Sequence, residues 1–200
     1  MGATREWYAR HVGDAFVRTS IAWGYRARAA CKLRLLDDKY RLLARHGDVL
    51  ELGSSPGCWS QHISYAMRLA GSAERAVAVD TRPMGRVCGV SFVQGDITTP
   101  ETLAAVSARL PRGAGLIVSD ICPASAGVPA LDGDATDRVA CALLLVARRF
   151  LVCGGALVHK TFLWRAEHMA CAMGRHFARV AVDRLAVSRS EEVFLVCGGG

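Results

Sequence analysis

No C-x-x-C pair occurs among the eight cysteines, which stand at 31, 58, 88, 122, 141, 153, 171 and 197. That spacing argues against a zinc site and against a disulfide framework, and places the thiols reduced in a reducing compartment. Cys141, Cys153 and Cys197 sit in apolar runs, where a free thiol packs as a small hydrophobe. No apolar run reaches membrane-spanning length: the longest, Val139 to Val152, is broken by Arg148 and Arg149, so no membrane partner is expected. A secretory h-region, an internal repeat, a low-complexity tract and a dividing linker are all missing as well. G-x-G-x-x-G is absent too, which disfavours a nicotinamide-dependent dehydrogenase.

What is present suits one domain. Two hundred residues with a hydrophobic fraction of 52% can bury a substantial core and exclude disorder. Lysine and arginine exceed aspartate and glutamate by 25 to 18, and a net charge of +7 suggests a polyanionic partner such as RNA or DNA. The plainer alternative is a surface made basic for solubility.

Residues 48 to 61, Asp-Val-Leu-Glu-Leu-Gly-Ser-Ser-Pro-Gly-Cys-Trp-Ser-Gln, organise the chain. Val49, Leu50 and Leu52 read as a buried parallel strand ending at Gly53, and a helical pattern runs from Trp59 to Leu69. Ser55 is the expected N-cap, with Pro56 in the first helical turn. A strand, a tight glycine turn and a helix N-terminus form a cofactor crevice in an open α/β sheet. The spacing Glu51-x-Gly53-x-x-x-Gly57 is not built around a pyrophosphate. An acidic residue there suits a cofactor with a cationic amino-acid end, which points to S-adenosylmethionine (SAM).

Further strands follow in order: Ala76 to Val79 ending in Asp80, Val90 to Gln94 before Gly95-Asp96, Leu116 to Ser119 before Asp120, and Ala156 to Phe162. Val180 to Val182 and Val193 to Cys197 read as a terminal hairpin. Helices are expected over Arg26 to Leu43, Asp134 to Val152 (ended by Gly154-Gly155) and Glu167 to Phe177, with a loop from Ala124 to Gly133. Asp80 stands where a ribose is held by its hydroxyls, and Asp96 is either a turn former or a contact to an adenine edge. Lys32 and Lys160 each sit among apolar neighbours, so each either snorkels or enters a site. Residues 1–24 form a basic, aromatic-containing segment before a single domain over 25–200; arginines interleaved with aromatics suit phosphates and unstacked bases, or a helix lying on the domain.

Seven pieces in one order resemble the FtsJ/RrmJ family of RNA ribose 2′-O-methyltransferases. They are Tyr-Arg-Ala-Arg-Ala-Ala-Cys-Lys-Leu (25–33), Leu-Gly-Ser-Ser-Pro-Gly-Cys-Trp-Ser-Gln (52–61), Asp-Thr-Arg-Pro-Met (80–84), Gln-Gly-Asp (94–96), Ser-Asp-Ile-Cys-Pro (119–123), His-Lys-Thr-Phe (159–162) and Ser-Glu-Glu-Val-Phe (190–194). The resemblance implies a Rossmann-like class I SAM-dependent methyltransferase: an α/β fold with a mostly parallel seven-stranded sheet, helices on both faces and a C-terminal antiparallel hairpin. It implies a catalytic tetrad of Lys32, Asp120, Lys160 and Glu192, and SAM contacts at Gly57, Trp59, Asp80, Asp96 and Asp120, joined by Glu51, Gly53 and Pro56 of the turn; no metal is implied. It implies a uridine of large-subunit ribosomal RNA as substrate, within an assembly intermediate and beside other assembly factors. A tRNA or mRNA-cap methyltransferase, or an assembly factor for which methylation is dispensable, are the alternatives. The basic N-terminal segment resembles the family's mitochondrial branch, so the mitochondrial matrix is favoured and the cytoplasm is the alternative. Four positions depart from the family pattern: Glu51 for its usual Asp, Cys58 for Gly, Cys31 for an aromatic, and Leu163-Trp164 for a glycine-containing stretch. Of Glu191 and Glu192, the residue directly before Val193-Phe194 is the one expected to face the site.

Overall fold

The computed structural model describes residues 20, 22–71, 73, 75–122, 129–185 and 191–199, with the backbone alone for 129–132. The expected mitochondrial features and most of the arginine- and aromatic-bearing segment therefore lie outside the described residues, as do 123–128 of the expected loop.

The sheet has seven strands: β1 (Val49–Leu52), β2 (Ala76–Asp80), β3 (Val90–Gln94), β4 (Ala114–Ser119), β5 (Leu151–Phe162), β6 (Arg179–Asp183) and β7 (Glu192–Gly198). Their spatial order is β3-β2-β1-β4-β5-β7-β6. The first five run parallel, and β7 lies antiparallel between β5 and β6. Order reverses at β1, so the crevice beyond its carboxyl end and that of β4 is where such sheets hold ligands. The helices are α1 (Ala29–Tyr40), α2 (Leu42–His46), α3 (Cys58–Leu69), α4 (Pro100–Arg109), α5 (Pro129–Phe150) and α6 (Leu163–Met173).

Alternation along the strands sorts side chains onto two faces. On one face Leu50, Leu52, Val77, Ile117, Leu157 and Leu195 pack with Val106 of α4, Leu143 of α5 and Met169 of α6. On the other, Val49, Leu116, Val118, Val158 and Phe194 pack with Leu33 and Leu36 of α1 and Trp59 and Ile63 of α3. β1 is buried at all four positions, Glu51 included.

Several boundaries differ from those expected. α3 begins at Cys58 with Gly57, at φ 101°, as its N-cap; Ser55 and Pro56 precede the helix and do not cap it. Side chains rarely adopt that left-handed conformation, so the turn requires glycine at 57, and the Arg26 guanidinium occupies the space beside it. The helix expected over Arg26 to Leu43 is broken at Arg41, which is left-handed (φ 57°) and donates its N–H to Asp37 O at 2.7 Å. Gly154-Gly155 does not end α5. That helix stops at Phe150, and the two glycines lie inside β5, beside an irregularity in its pairing with β4. The helix expected over Glu167 to Phe177 starts earlier, at Leu163, directly after β5. α4 was not among the expected helices; its signal is Thr99, whose hydroxyl accepts from Thr102 N–H, followed by Pro100. Cys141 and Cys153 are exposed, against their reading as core residues, while Cys31, Cys58 and Cys197 are buried.

Candidate active site and cofactor cleft

Asp120 directly follows β4, Lys160 lies near the end of β5, and Glu192 opens β7. Each stands two residues from a core residue of the α1 side: Val118, Val158 and Phe194. Period-two alternation therefore aims all three at α1, where Lys32 sits one turn in. Antiparallel pairing sets Lys160 opposite Phe194 and Phe162 opposite Glu192, a diagonal arrangement that leaves the lysine and glutamate within reach.

Contacts follow from that placement. Lys32 Nζ donates to Glu192 Oε2. Lys160 Nζ forms an ion pair with Asp120 Oδ1 and lies 3.9 Å from Glu192 Oε1. The structure thus brings Lys32, Asp120, Lys160 and Glu192 into one alternating chain of charges. Glu191 is exposed; its backbone carbonyl accepts from Leu163 N–H at 2.7 Å, and Glu192 is the carboxylate that faces both lysines.

Burial pulls the Lys160 ammonium down, but Asp120 and Glu192 outweigh it and hold the group above its ordinary range. For Asp120, burial raises the carboxyl and Lys160 opposes it, with a net upward direction. The lysine is therefore an ammonium at neutral pH in this structure.

Beneath the tetrad runs a second, buried pair on the opposite side of the sheet. Ser119 and His159 are partners in the β4–β5 register, and Ser119 Oγ lies 3.2 Å from His159 Nδ1. Burial pushes the His159 imidazole down to about 3, with the Lys160 charge acting in the same direction, so the ring is neutral. This contact pins the strand ends that carry Asp120 and Lys160. Sequence reasoning overlooked it, although Ser119-Asp120 and His159-Lys160 were the available signal.

Next to Lys160 opens a cleft of about 570 Å³, lined by Gly53, Asp80, Asp96, Asp120, Ile121 and Lys160 among others. Its size lies within the ~300–1,000 Å³ of small-molecule sites. Gly53 (φ 74°) lets β1 approach the end of β4: a Cβ there would lie 2.9 Å from Ile121 N. Asp80 ends β2, its Oδ2 accepting from Ser55 N–H at 2.7 Å and its Oδ1 from Arg82 N–H at 2.8 Å. Asp96 Oδ1 accepts from the N–H and hydroxyl of Thr98, both at 2.8 Å, and these bonds hold its carboxyl below the usual range.

Four of the residues expected at the cofactor stand outside that lining. Glu51 is buried on the α3 side, where Ser60 Oγ donates to it, and burial pushes its carboxyl up to about 8. Trp59 packs on Phe194 and donates its indole N–H to Ala29 O at 3.0 Å. Pro56 and Gly57 meet Arg26, whose guanidinium donates to Pro56 O. Arg26 is the residue that sequence reasoning passed over here.

The FtsJ-like methyltransferase family matches residues 25–200. A ribosomal RNA large subunit methyltransferase E of Tremblaya princeps is 64% identical over 201 residues, covering 100% of both chains. A protein of the same name from Acidithiobacillus ferrooxidans is 35% identical, covering 94% of this chain and 85% of its own. Among solved structures, a protein described as a ribosomal RNA methyltransferase from Plasmodium falciparum superposes with a TM-score of 0.77 at 24% identity, covering 88% of this chain and 98% of that one. At that identity the likeness speaks to the fold. With the motif pieces, the sheet order and these matches together, the chain belongs to the FtsJ-like methyltransferase family.

Proposed function

We propose that this chain transfers a methyl group from SAM to the ribose 2′-hydroxyl of a uridine in large-subunit ribosomal RNA. The observation that carries the proposal is the Lys32–Glu192–Lys160–Asp120 cluster opening onto an acidic cleft at the carboxyl edge of the sheet. The family and the names of its relatives support the substrate class.

The cleft residues fit SAM by their chemistry. Asp80 keeps acceptor capacity on both oxygens after receiving two backbone N–H groups, as a ribose diol requires. Asp96 at the far wall suits the adenine edge, and Asp120 suits a cationic group. When bound there, SAM supplies an electrophilic methyl on a sulfonium. Trp59, Gly57, Pro56 and Glu51 would act from behind, holding the turn that carries Gly53 and Ser55.

Lys160 is the group that handles the hydroxyl proton. A general base typically contributes about 10² to 10⁴ in rate. Because its carboxylate neighbours keep it charged, Lys160 must first lose a proton before it can accept one from the hydroxyl. Glu192 bridges the two lysines and fixes their spacing; Lys32 completes the arrangement from α1 and is placed to hold the ribose. Orientation of this kind can contribute more than the proton transfer itself.

The test is methyl transfer from labelled SAM to large ribosomal subunits, followed by mapping of 2′-O-methyl positions. Wild-type protein should modify a uridine, and Lys160→Ala should not while still binding SAM. A wild-type protein that binds SAM yet modifies no ribosomal RNA would overturn the proposal.

A further inference from the structure

A second cavity, of about 460 Å³, lies on the outer side of the cofactor turn, and the tetrad makes no use of it. Its walls come from the segment before α1, the exposed side of α3 and the loop after β2. Trp23 and Tyr65 stand in it with 42% of each side chain exposed, their ring centroids 5.9 Å apart and tilted by 53°. Arg34 lies over the Trp23 ring at 3.6 Å. Arg68 and Arg86, both exposed, supply positive charge on the rim, and no carboxylate is among the lining residues described.

The walls are built rather than accidental. Gln61 of α3 clamps the first of them: its Oε1 accepts from Arg26 N–H at 2.7 Å and its Nε2 donates to Gly24 O at 3.1 Å. Ser64 Oγ donates to Cys88 O, tying the loop after β2 to the same helix. Arg26 joins the cavity to the cofactor turn, donating to Pro56 O on one side and to Arg86 O, at 2.9 Å, on the other. The cavity is thereby tied to the cofactor turn, and the chain runs from its Tyr25 wall to Lys32 of α1 in seven residues.

Half-exposed aromatic rings with arginines on the rim, and the nearby acid Asp38 paired with Arg34 outside the lining, match the chemistry of an unstacked nucleotide, whose base stacks and whose phosphate is anionic. The geometry points to this cavity as a docking subsite for one unpaired nucleotide of the substrate RNA, flanking the nucleotide that receives the methyl. Trp23 and Tyr65 take the base, and Arg68 and Arg86 take its phosphate. A peptide occupant would need apolar pockets or a hydrogen-bonding edge, and the cavity instead presents arginine charge. This inference rests on the reading of the chain as an RNA methyltransferase.

The experiment has two arms. In the first, Tyr65→Ala, Trp23→Ala and Arg68→Glu are compared with wild type for methyl transfer to large ribosomal subunits. The expected result is a rise in KM for RNA of about 5- to 150-fold, the range that loss of one base–aromatic stack produces, with kcat and SAM affinity unchanged. Arg68→Glu is exposed and spares the aromatic cluster, so it reports even where Trp23→Ala misfolds. In the second arm, a 4-thiouridine-containing single-stranded RNA is photocrosslinked to the intact protein and the adducts are located by mass spectrometry. Adducts on Trp23 or Tyr65 support the subsite. Unchanged KM in Tyr65→Ala and Arg68→Glu, loss of SAM affinity along with KM, or adducts confined to other surfaces would each overturn it. Crosslinking does not depend on turnover, so a protein that methylates no RNA fails the functional reading separately from the subsite.

Discussion

Replacing Asp80 by asparagine tests the cofactor cleft with the smallest change of shape. The Asp80 side chain is 5% exposed, and each of its oxygens accepts a backbone N–H, from Ser55 and from Arg82. An amide offers one oxygen and one NH₂, so in either orientation one backbone N–H faces another donor. A hydrogen bond to a charged group contributes about 1.5–3 kcal/mol. Losing one should lower the unfolding midpoint of a chain this size by about 3–12 °C, at roughly 2–4 °C per kcal/mol. The same loss applies to the ribose hydroxyls of SAM, so the dissociation constant should rise roughly 10- to 150-fold, at about 1.4 kcal/mol per decade. Calorimetric titration with SAM measures the second quantity and thermal unfolding the first. A Kd within twofold of wild type would refute the placement of the ribose on Asp80.

Other outcomes follow from the tetrad and its surroundings. The Lys160 ammonium is held above its ordinary range, and the base form must be neutral, so the single-turnover rate should climb from neutral pH through the alkaline range; Glu192→Gln removes one of the stabilising carboxylates and should move that limb to lower pH, as a rate profile would show. Glu191→Ala should leave turnover nearly unchanged while Glu192→Ala reduces it strongly, since only Glu192 reaches the lysines. Glu51 has a folded-state value raised to about 8 by burial, so the native state binds the extra proton and stability is lost as pH rises from the ordinary carboxyl range through about 8. Glu51→Gln should therefore narrow the difference in unfolding midpoint between pH 5 and pH 9; an unchanged difference would mean that Glu51 does not titrate in that window.

The parts of this fold that show in the sequence are those governed by alternation. β1 to β5 are short apolar runs whose carboxyl ends release Gly53, Asp80, Asp96, Asp120 and Lys160 towards one edge, and parity alone puts Asp120, Lys160 and Glu192 on a common face. Parity could not choose between Glu191 and Glu192, because both faces of β7 are apolar; Phe194 and Leu195 are equally buried on opposite sides. What stayed hidden depends on tertiary contact. The start of α3 is set by the left-handed Gly57, beside a Pro56 carbonyl that accepts from Arg26, 30 residues earlier, and not by a Ser55 cap. The end of α5 is set by β5 joining β4 at Leu151, ahead of the glycines. Glu51 reads as a ligand-facing acid by its place in the motif, yet its parity with Val49 directs it at Ser60.

The position of β7 bears on how the protein comes into being. It follows every other element in the chain, yet it is inserted between β5 and β6, both of which precede it. During synthesis both β5 and β6 are therefore made before the strand that pairs with each of them. Glu192, which bridges Lys32 and Lys160, arrives only with that strand. Until then Lys32 and Lys160 lack the carboxylate that bridges them, so the charge cluster closes in the same event that closes the sheet. Completion of the cluster is thereby tied to the last strand of the chain, and a chain stalled short of β7 would carry the two lysines unbridged.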